Sequence, residues 1–281
     1  MKKALLGDTG LEISPLGLGT VKFGRNQGVK YPHGFEIPDE TALADLLALA
    51  KELGINMLDT APAYGSSEER LGRLLTGQRG DWVIVGKAGE EFEEGESFYN
   101  FTPEHFEMSL ERSLKRLNTD YIDVLMVHSD GHDVENLSDA LIAKMQDFKT
   151  RGMVRAIGAS TKTAEGGIRA LEHMDAVMAM YTADYRDEEP VLDYAAAHNK
   201  GVILKKALNS GHFSSLHPPR IPSGAQELGP SGNETQDPRL RGEYRVGEAF
   251  EFAFSHPGVT AAIVGTINPA HLRENVGALK P

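Results

Sequence analysis

Cysteine is absent from the 281 residues, so disulfides, thiolate nucleophiles and Cys-ligated zinc are excluded. Long hydrophobic runs are missing too. No stretch approaches the roughly 20 apolar residues of a membrane-spanning helix. Met1–Asp8 carries Lys2 and Lys3 but no apolar segment behind them, which does not read as a signal peptide. A soluble, cytoplasmic protein with no membrane partner is expected. Positive charge is also in short supply, with 29 basic against 41 acidic residues and a net charge of −12. Such a surface repels nucleic acid and anionic membranes. It still leaves room for a local cluster of donors around a small anionic ligand.

What is present is a folded composition, 40% hydrophobic and 25% charged, at a length that one α/β barrel commonly fills. Short apolar, β-branched runs recur at Ile13–Thr20, Ile55–Asp59, Trp82–Lys87, Tyr121–His128, Val154–Ser160, Ala176–Tyr181, Gly201–Lys205 and Thr260–Thr266. Continuous runs of this kind suit parallel strands covered on both faces. Amphipathic stretches lie between them. Asp39–Leu53 is stopped by Gly54, and Thr102-Pro103-Glu104 opens a helix to Leu117. Further helices are read at Thr163–His173, Ser138–Thr150 and Glu188–Asn199, with a last one opened by Asn268-Pro269. Eightfold alternation predicts a (β/α)8 TIM barrel, a single domain over residues 1–281. Gly7–Ser14 predicts the turn of an N-terminal β-hairpin. His212–Arg241, after strand seven, reads as a long loop suited to a lid, and Phe23–Pro38 and Glu90–Phe101 as further loops. Phe250, Phe252 and Phe254 read as core.

Three strands end on a polar residue: Asp59, Lys87 and His128. In a barrel the strand C-termini converge on the face where active sites sit. An acid, an ammonium and an imidazole are therefore expected to meet there. Taken alone, each could equally be a structural ion pair closing the ring. The His128–Asp133 segment lacks a spacing that would align metal ligands, and no metal is expected.

Gly54-Ile55-Asn56-Met57-Leu58-Asp59-Thr60-Ala61-Pro62-Ala63-Tyr64-Gly65 resembles the signature of the aldo-keto reductase superfamily. The likeness runs over nearly the whole chain, including Gly17–Lys22, Ser109–Leu114 and Ile263–Pro269. It implies a catalytic tetrad of Asp59, Tyr64, Lys87 and His128, and NAD(P)(H)-dependent hydride transfer between nicotinamide and a carbonyl or alcohol of a small molecule. Tyrosine is a poor acid at neutral pH, and the ammonium of Lys87 would favour its phenolate. Asp59 would hold Lys87, His128 would orient the substrate carbonyl, and Tyr64 would be the general acid/base.

The resemblance also implies an extended dinucleotide across the barrel mouth. Gly19, Thr20, Val21 and Asp59 would border it, Ser160 and Thr161 would meet the carboxamide, and Met178 stands where many members have glutamine. Lys205, Lys206, Leu208 and Ser210 would line the nicotinamide and diphosphate. Gly265, Thr266, Asn268, His271 and Asn275 would line the adenosine end, where a helix start offers free N–H groups. Lys205 replaces a common aromatic, and no Arg stands ready for a 2′-phosphate. NADP(H) is the expected cofactor and NAD(H) the alternative. Two other functions are compatible with parts of the pattern: a Schiff-base lyase using Lys87, and a non-catalytic nucleotide sensor.

Overall fold

The computed structural model describes residues 1–29, 34–208 and 238–279, with the side chains of 238–245 set aside. The chain opens on an antiparallel hairpin of β1 (Ala4–Leu5) and β2 (Glu12–Ile13). The barrel begins with β3 (Leu16–Gly19), β4 (Met57–Asp59) and β5 (Val83–Ala88). A second hairpin follows, β6 (Glu90–Glu93) against β7 (Glu96–Tyr99). The barrel then continues through β8 (Ile122–His128), β9 (Val154–Ser160), β10 (Ala176–Ala179), β11 (Gly201–Leu204) and β12 (Ala261–Val264). The eight strands close in the order β10-β11-β12-β3-β4-β5-β8-β9, all neighbours parallel.

Helices cover the outside: α1 (Val21–Gly24), α2 (Glu40–Glu52), α3 (Ser67–Leu74), α4 (Pro103–Leu117), α5 (Asp133–Asn136), α6 (Asp139–Thr150), α7 (Ala164–His173), α8 (Glu189–Ala197), α9 (Pro238–Ala253) and α10 (Pro269–Gly277). Local chemistry starts them. Asp39, Thr102, Ser138 and Thr163 each accept a backbone N–H of the first turn, a cap worth about 1 kcal/mol apiece. Leu43, Leu46, Leu47 and Ala50 of α2 turn inward, with Phe106 and Leu110 of α4 and Leu141, Met145 and Phe148 of α6, into one apolar layer between helices and strands. A second, smaller apolar cluster fills the barrel itself: Met57, Val85, Val124, Met126, Met178 and Ile203, floored by Leu6, Leu11 and Ile13 of the first hairpin. No described helix is long and apolar enough to cross a membrane.

Three details differ from the sequence reading. Ile13–Thr20 is not one strand. Ser14 and Pro15 interrupt it, with Ser14 N–H bonded to Asn56 Oδ1 at 2.7 Å, so that Ile13 ends the floor hairpin and Leu16 begins the barrel. Glu90–Phe101 is no plain loop, because it holds the β6–β7 hairpin. Its strands carry acidic and aromatic residues with little apolar alternation, so a polar stretch concealed them. His212–Arg241 is not loop throughout, since α9 starts at Pro238; its residues up to 237 lie outside the described residues.

Candidate active site

Three parallel strands deliver the central groups. Asp59 is the last residue of β4, Lys87 the fifth of β5, and His128 the last of β8. Tyr64 arrives by another route. After Asp59 the chain makes a short 3-10 turn, Pro62–Tyr64, and leaves it through Gly65 at φ +61°. A Cβ on Gly65 would lie 2.2 Å from the carbonyl oxygen of Gly24. The turn that aims Tyr64 therefore requires glycine on both conformational and steric grounds.

The groups converge tightly. Lys87, buried at 2% exposure, donates to Asp59 Oδ1, to the Thr60 carbonyl at 3.2 Å and to the Tyr64 hydroxyl at 3.1 Å. Tyr64 in turn donates to Asp59 Oδ2 at 3.2 Å. The ammonium also lies 4.7 Å from the centre of the Tyr64 ring, and the His128 ring meets that ring edge-on at 6.2 Å. Glu90, at the base of the second hairpin, sits 2.9 Å from His128 Nδ1. Burial pushes the His128 imidazole below its ordinary pKa, with Glu90 pulling against it. Burial would raise the Glu90 carboxyl, but His128, Ser97 and Arg25 together outweigh it and hold the group at about 2.

Around the rest of the mouth, Gly19 pairs with Asp59 across β3 and β4. Thr20 Oγ1 donates to the Asp59 carbonyl at 2.9 Å and contacts Ser67 Oγ at 2.7 Å, and Val21 begins α1. Ser160 and Thr161, at the end of β9, are covered. Lys205 reaches over from β11 to bond the Thr161 carbonyl and Ser160 Oγ at 3.3 Å. Burial pushes the Lys205 amine down to about 8, opposed by Glu188 and assisted by Lys206. Burial likewise raises the Glu188 carboxyl to about 7, against the pull of Lys205. Glu188 Oε1 accepts from Met180 N–H at 3.3 Å, while its Oε2, Thr161 Oγ1 and Asp133 Oδ1 are buried without a hydrogen-bond partner.

The remaining expected contacts are placed as follows. Met178 packs into the apolar barrel interior with Met57 and Met126. Lys206 is exposed with φ +55°, Leu208 leans on the outer core, and Ser210 is outside the described residues. Thr266 Oγ1 accepts from Asn268 N–H at 3.1 Å, and Asn268 Oδ1 accepts from Ala270 N–H at 2.9 Å. These two side chains thus cap α10 themselves. His271 is exposed on the first turn of α10, and Asn275 is buried at 7%. The sequence reading passed over Glu90, Asp133 and Glu188. A weak pointer to Glu90 existed in its place three residues after the strand-borne Lys87.

A closed parallel barrel with a Tyr-Lys-Asp-His group at its C-terminal mouth defines an oxidoreductase of the carbonyl-reducing, nicotinamide-dependent kind. The model of the aldo/keto reductase family matches residues 15–237, and the chain belongs to that family. The solved structure of PA4992 from Pseudomonas aeruginosa, itself assigned as an aldo-keto reductase, is 50% identical with a TM-score of 0.81, covering 98% of this chain and 93% of its own. The L-galactose dehydrogenase of Arabidopsis thaliana is 26% identical over 98% of this chain and 86% of its own length. A D-threo-aldose 1-dehydrogenase of a Pseudomonas species is 27% identical over 95% and 89%.

Proposed function

We propose that this protein passes a hydride between NADP(H), or alternatively NAD(H), and a carbonyl/alcohol couple on a small molecule, with Tyr64 as general acid/base. One observation carries the reading: the Tyr64 hydroxyl is 3.1 Å from the Lys87 ammonium and 3.2 Å from Asp59 Oδ2. As a proton leaves Tyr64, charge grows on an oxygen already facing the Lys87 ammonium. Asp59 accepts from Lys87 and holds it in place. His128 lines the same recess and can hydrogen-bond the substrate oxygen. The lyase reading loses support, because the Lys87 amine is committed to three acceptors and offers no lone pair to a carbonyl carbon.

The residues present fit a nicotinamide cofactor. Buried polar atoms are normally paired, and the unpartnered Thr161 Oγ1 and Glu188 Oε2 beside Ser160 and Lys205 are the capacity that a primary amide could use. The cofactor, when bound, supplies or accepts the hydride. Lys205, Lys206 and Leu208 would flank its centre, and Gly265, Thr266, Asn268, His271 and Asn275 its adenosine end at the start of α10. Relatives named for L-galactose and D-threo-aldose oxidation support a polyhydroxylated substrate class. Purified protein mixed with NADPH or NADH and a carbonyl panel, then with NADP⁺ or NAD⁺ and a sugar panel, tests the reading by nicotinamide absorbance. No turnover in either direction with either cofactor would reject it.

A further inference from the structure

Glu90 belongs to none of the four strand-end positions, yet its carboxylate meets one of them. Its Oε2 stands 2.9 Å from His128 Nδ1, with the two side chains 11% and 19% exposed. The carboxylate is held from behind. Ser97 Oγ, on the facing hairpin strand, donates to Oε1 at 2.7 Å, and Arg25 approaches the same oxygen at 3.8 Å. Arg25 is itself fixed, donating to the carbonyls of Ala63 at 2.9 Å, Gln27 at 2.9 Å and Gly28 at 3.1 Å. Its guanidinium lies over Phe92 at 3.4 Å. The hairpin leaves β5 through Gly89 at φ +110°, where a Cβ would come within 2.8 Å of the Phe101 ring. Strand end, turn and Arg25 therefore fix where Glu90 points.

Nδ1 of His128 is sealed from water, and no group is aligned to take its hydrogen bond. Buried N–H groups find acceptors, and rotation of the ring onto Glu90 Oε2 provides one. We propose that Glu90 is a positioning residue for His128, taking the Nδ1–H bond and so making Nε2 the nitrogen that meets the substrate oxygen. This deepens the oxidoreductase reading above and rests on it for the substrate. A neutral ring then presents a bare lone pair, which accepts from the hydroxyl of an alcohol or sugar. A protonated ring presents an N–H, which donates to a carbonyl. No bond to His128 is made or broken. The change lies in which partner of the couple the mouth receives.

The groups around His128 decide which member of the pair titrates. Glu90, Asp59 and the Lys87 ammonium act on the ring through their charges, and Tyr64 packs edge-on to it. With Glu90 held at about 2 by His128, Ser97 and Arg25 against its own burial, the carboxylate stays ionised throughout neutral pH. Protons are gained and lost on the imidazole.

The direct test is ¹⁵N NMR of the ligand-free protein with labelled histidine, followed from about pH 5 to about pH 9 across the imidazole range. His128 is assigned by its loss in His128→Gln. The expected result is a neutral His128 carrying its proton on Nδ1. In Glu90→Ala the proton moves to Nε2, and titration falls by about 1–3 pH units, the size of a removed neighbouring charge. Glu90→Gln, which keeps an acceptor without the charge, should retain the tautomer and lose most of the shift. Ser97→Ala, which loosens Glu90 without emptying the site, should move the titration the same way by less. Where turnover is measurable, carbonyl reduction falls as pH rises through the NMR titration. A wild-type ring protonated on Nε2 overturns the proposal, as does a Glu90→Ala protein with tautomer and titration unchanged. An enzyme inert towards every couple would sink the oxidoreductase reading without touching these spectra, so the two failures are distinct.

Discussion

The two sides of the barrel mouth are built on opposite terms. On the β4–β5–β8 side the charged groups are paired, Lys87 with Asp59, Thr60 and Tyr64, and Glu90 with Ser97 and Arg25, while His128 Nδ1 lies close to Glu90 without being aligned for a hydrogen bond. On the β9–β10–β11 side Lys205 and Glu188 are brought close together without a direct hydrogen bond between them, and Thr161, Asp133 and Glu188 each keep a buried atom unpartnered. The first side closes most of its polar contacts within the protein and has the order expected of groups that must hold one geometry. The second carries polar capacity at a cost to the fold, which a bound polar ligand would relieve. The function proposed above assigns proton chemistry to the first side and ligand recognition to the second.

Four changes test that contrast. Tyr64→Phe keeps the ring and removes the hydroxyl, so nucleotide binding should survive while steady-state turnover drops by at least about 10²-fold, the lower range for general acid–base catalysis. Near-native turnover would remove Tyr64 from its role. Lys87→Met leaves Asp59 without its ammonium partner at 4% exposure, and urea unfolding should report a loss of about 3–5 kcal/mol, as when one partner of a buried pair is deleted. An unchanged midpoint would mean that the first side is not holding itself together.

The third change addresses the second side. Burial raises the Glu188 carboxyl to about 7, above the ordinary 4.5 of a glutamate, so the folded state binds the proton more tightly than the unfolded chain. Its contribution is fully present below about pH 4.5 and is lost as pH rises through about 7, on the order of 3 kcal/mol across that window. Glu188→Gln should flatten this part of the stability curve. A wild-type curve without the decline would mean that Glu188 is not strained. The smallest effect is expected at His271, exposed on the first turn of α10. His271→Arg should tighten NADPH over NADH by roughly 1–3 kcal/mol if it faces the 2′-phosphate, measured by fluorescence titration of both cofactors. Equal changes for the two would place His271 away from the phosphate.

The barrel was legible because its strands are buried on both faces and so read as unbroken apolar runs. Val154–Ser160 coincides with its run to the residue, and Ile122–His128 begins one residue inside Tyr121–His128. The same argument gave Asp59, Lys87 and His128, since a charged residue closing such a run has few places to go except the mouth. The helix Ser67–Leu74 was missed because Glu68 and Arg70 are buried in it beside Leu71, which blurs the apolar stripe. Glu90, Asp133 and Glu188 escaped for a different reason. They lie just beyond strand ends or at helix starts, where no period operates, and only the closed barrel brings them to its mouth.

The hairpin under the barrel has a consequence for how the molecule is assembled. Leu6, Leu11 and Ile13 are wholly or almost wholly buried, and Asp8 is bonded to Asn199, 191 positions further along the chain. During synthesis these early residues must wait, with their apolar side chains uncovered, until β11 has been made. Closing so long a loop is slow. The plug is therefore made well before the strand that seats it. An interval of exposed leucine and isoleucine on a nascent chain is where a holdase would act, and where crowded expression would first produce aggregates.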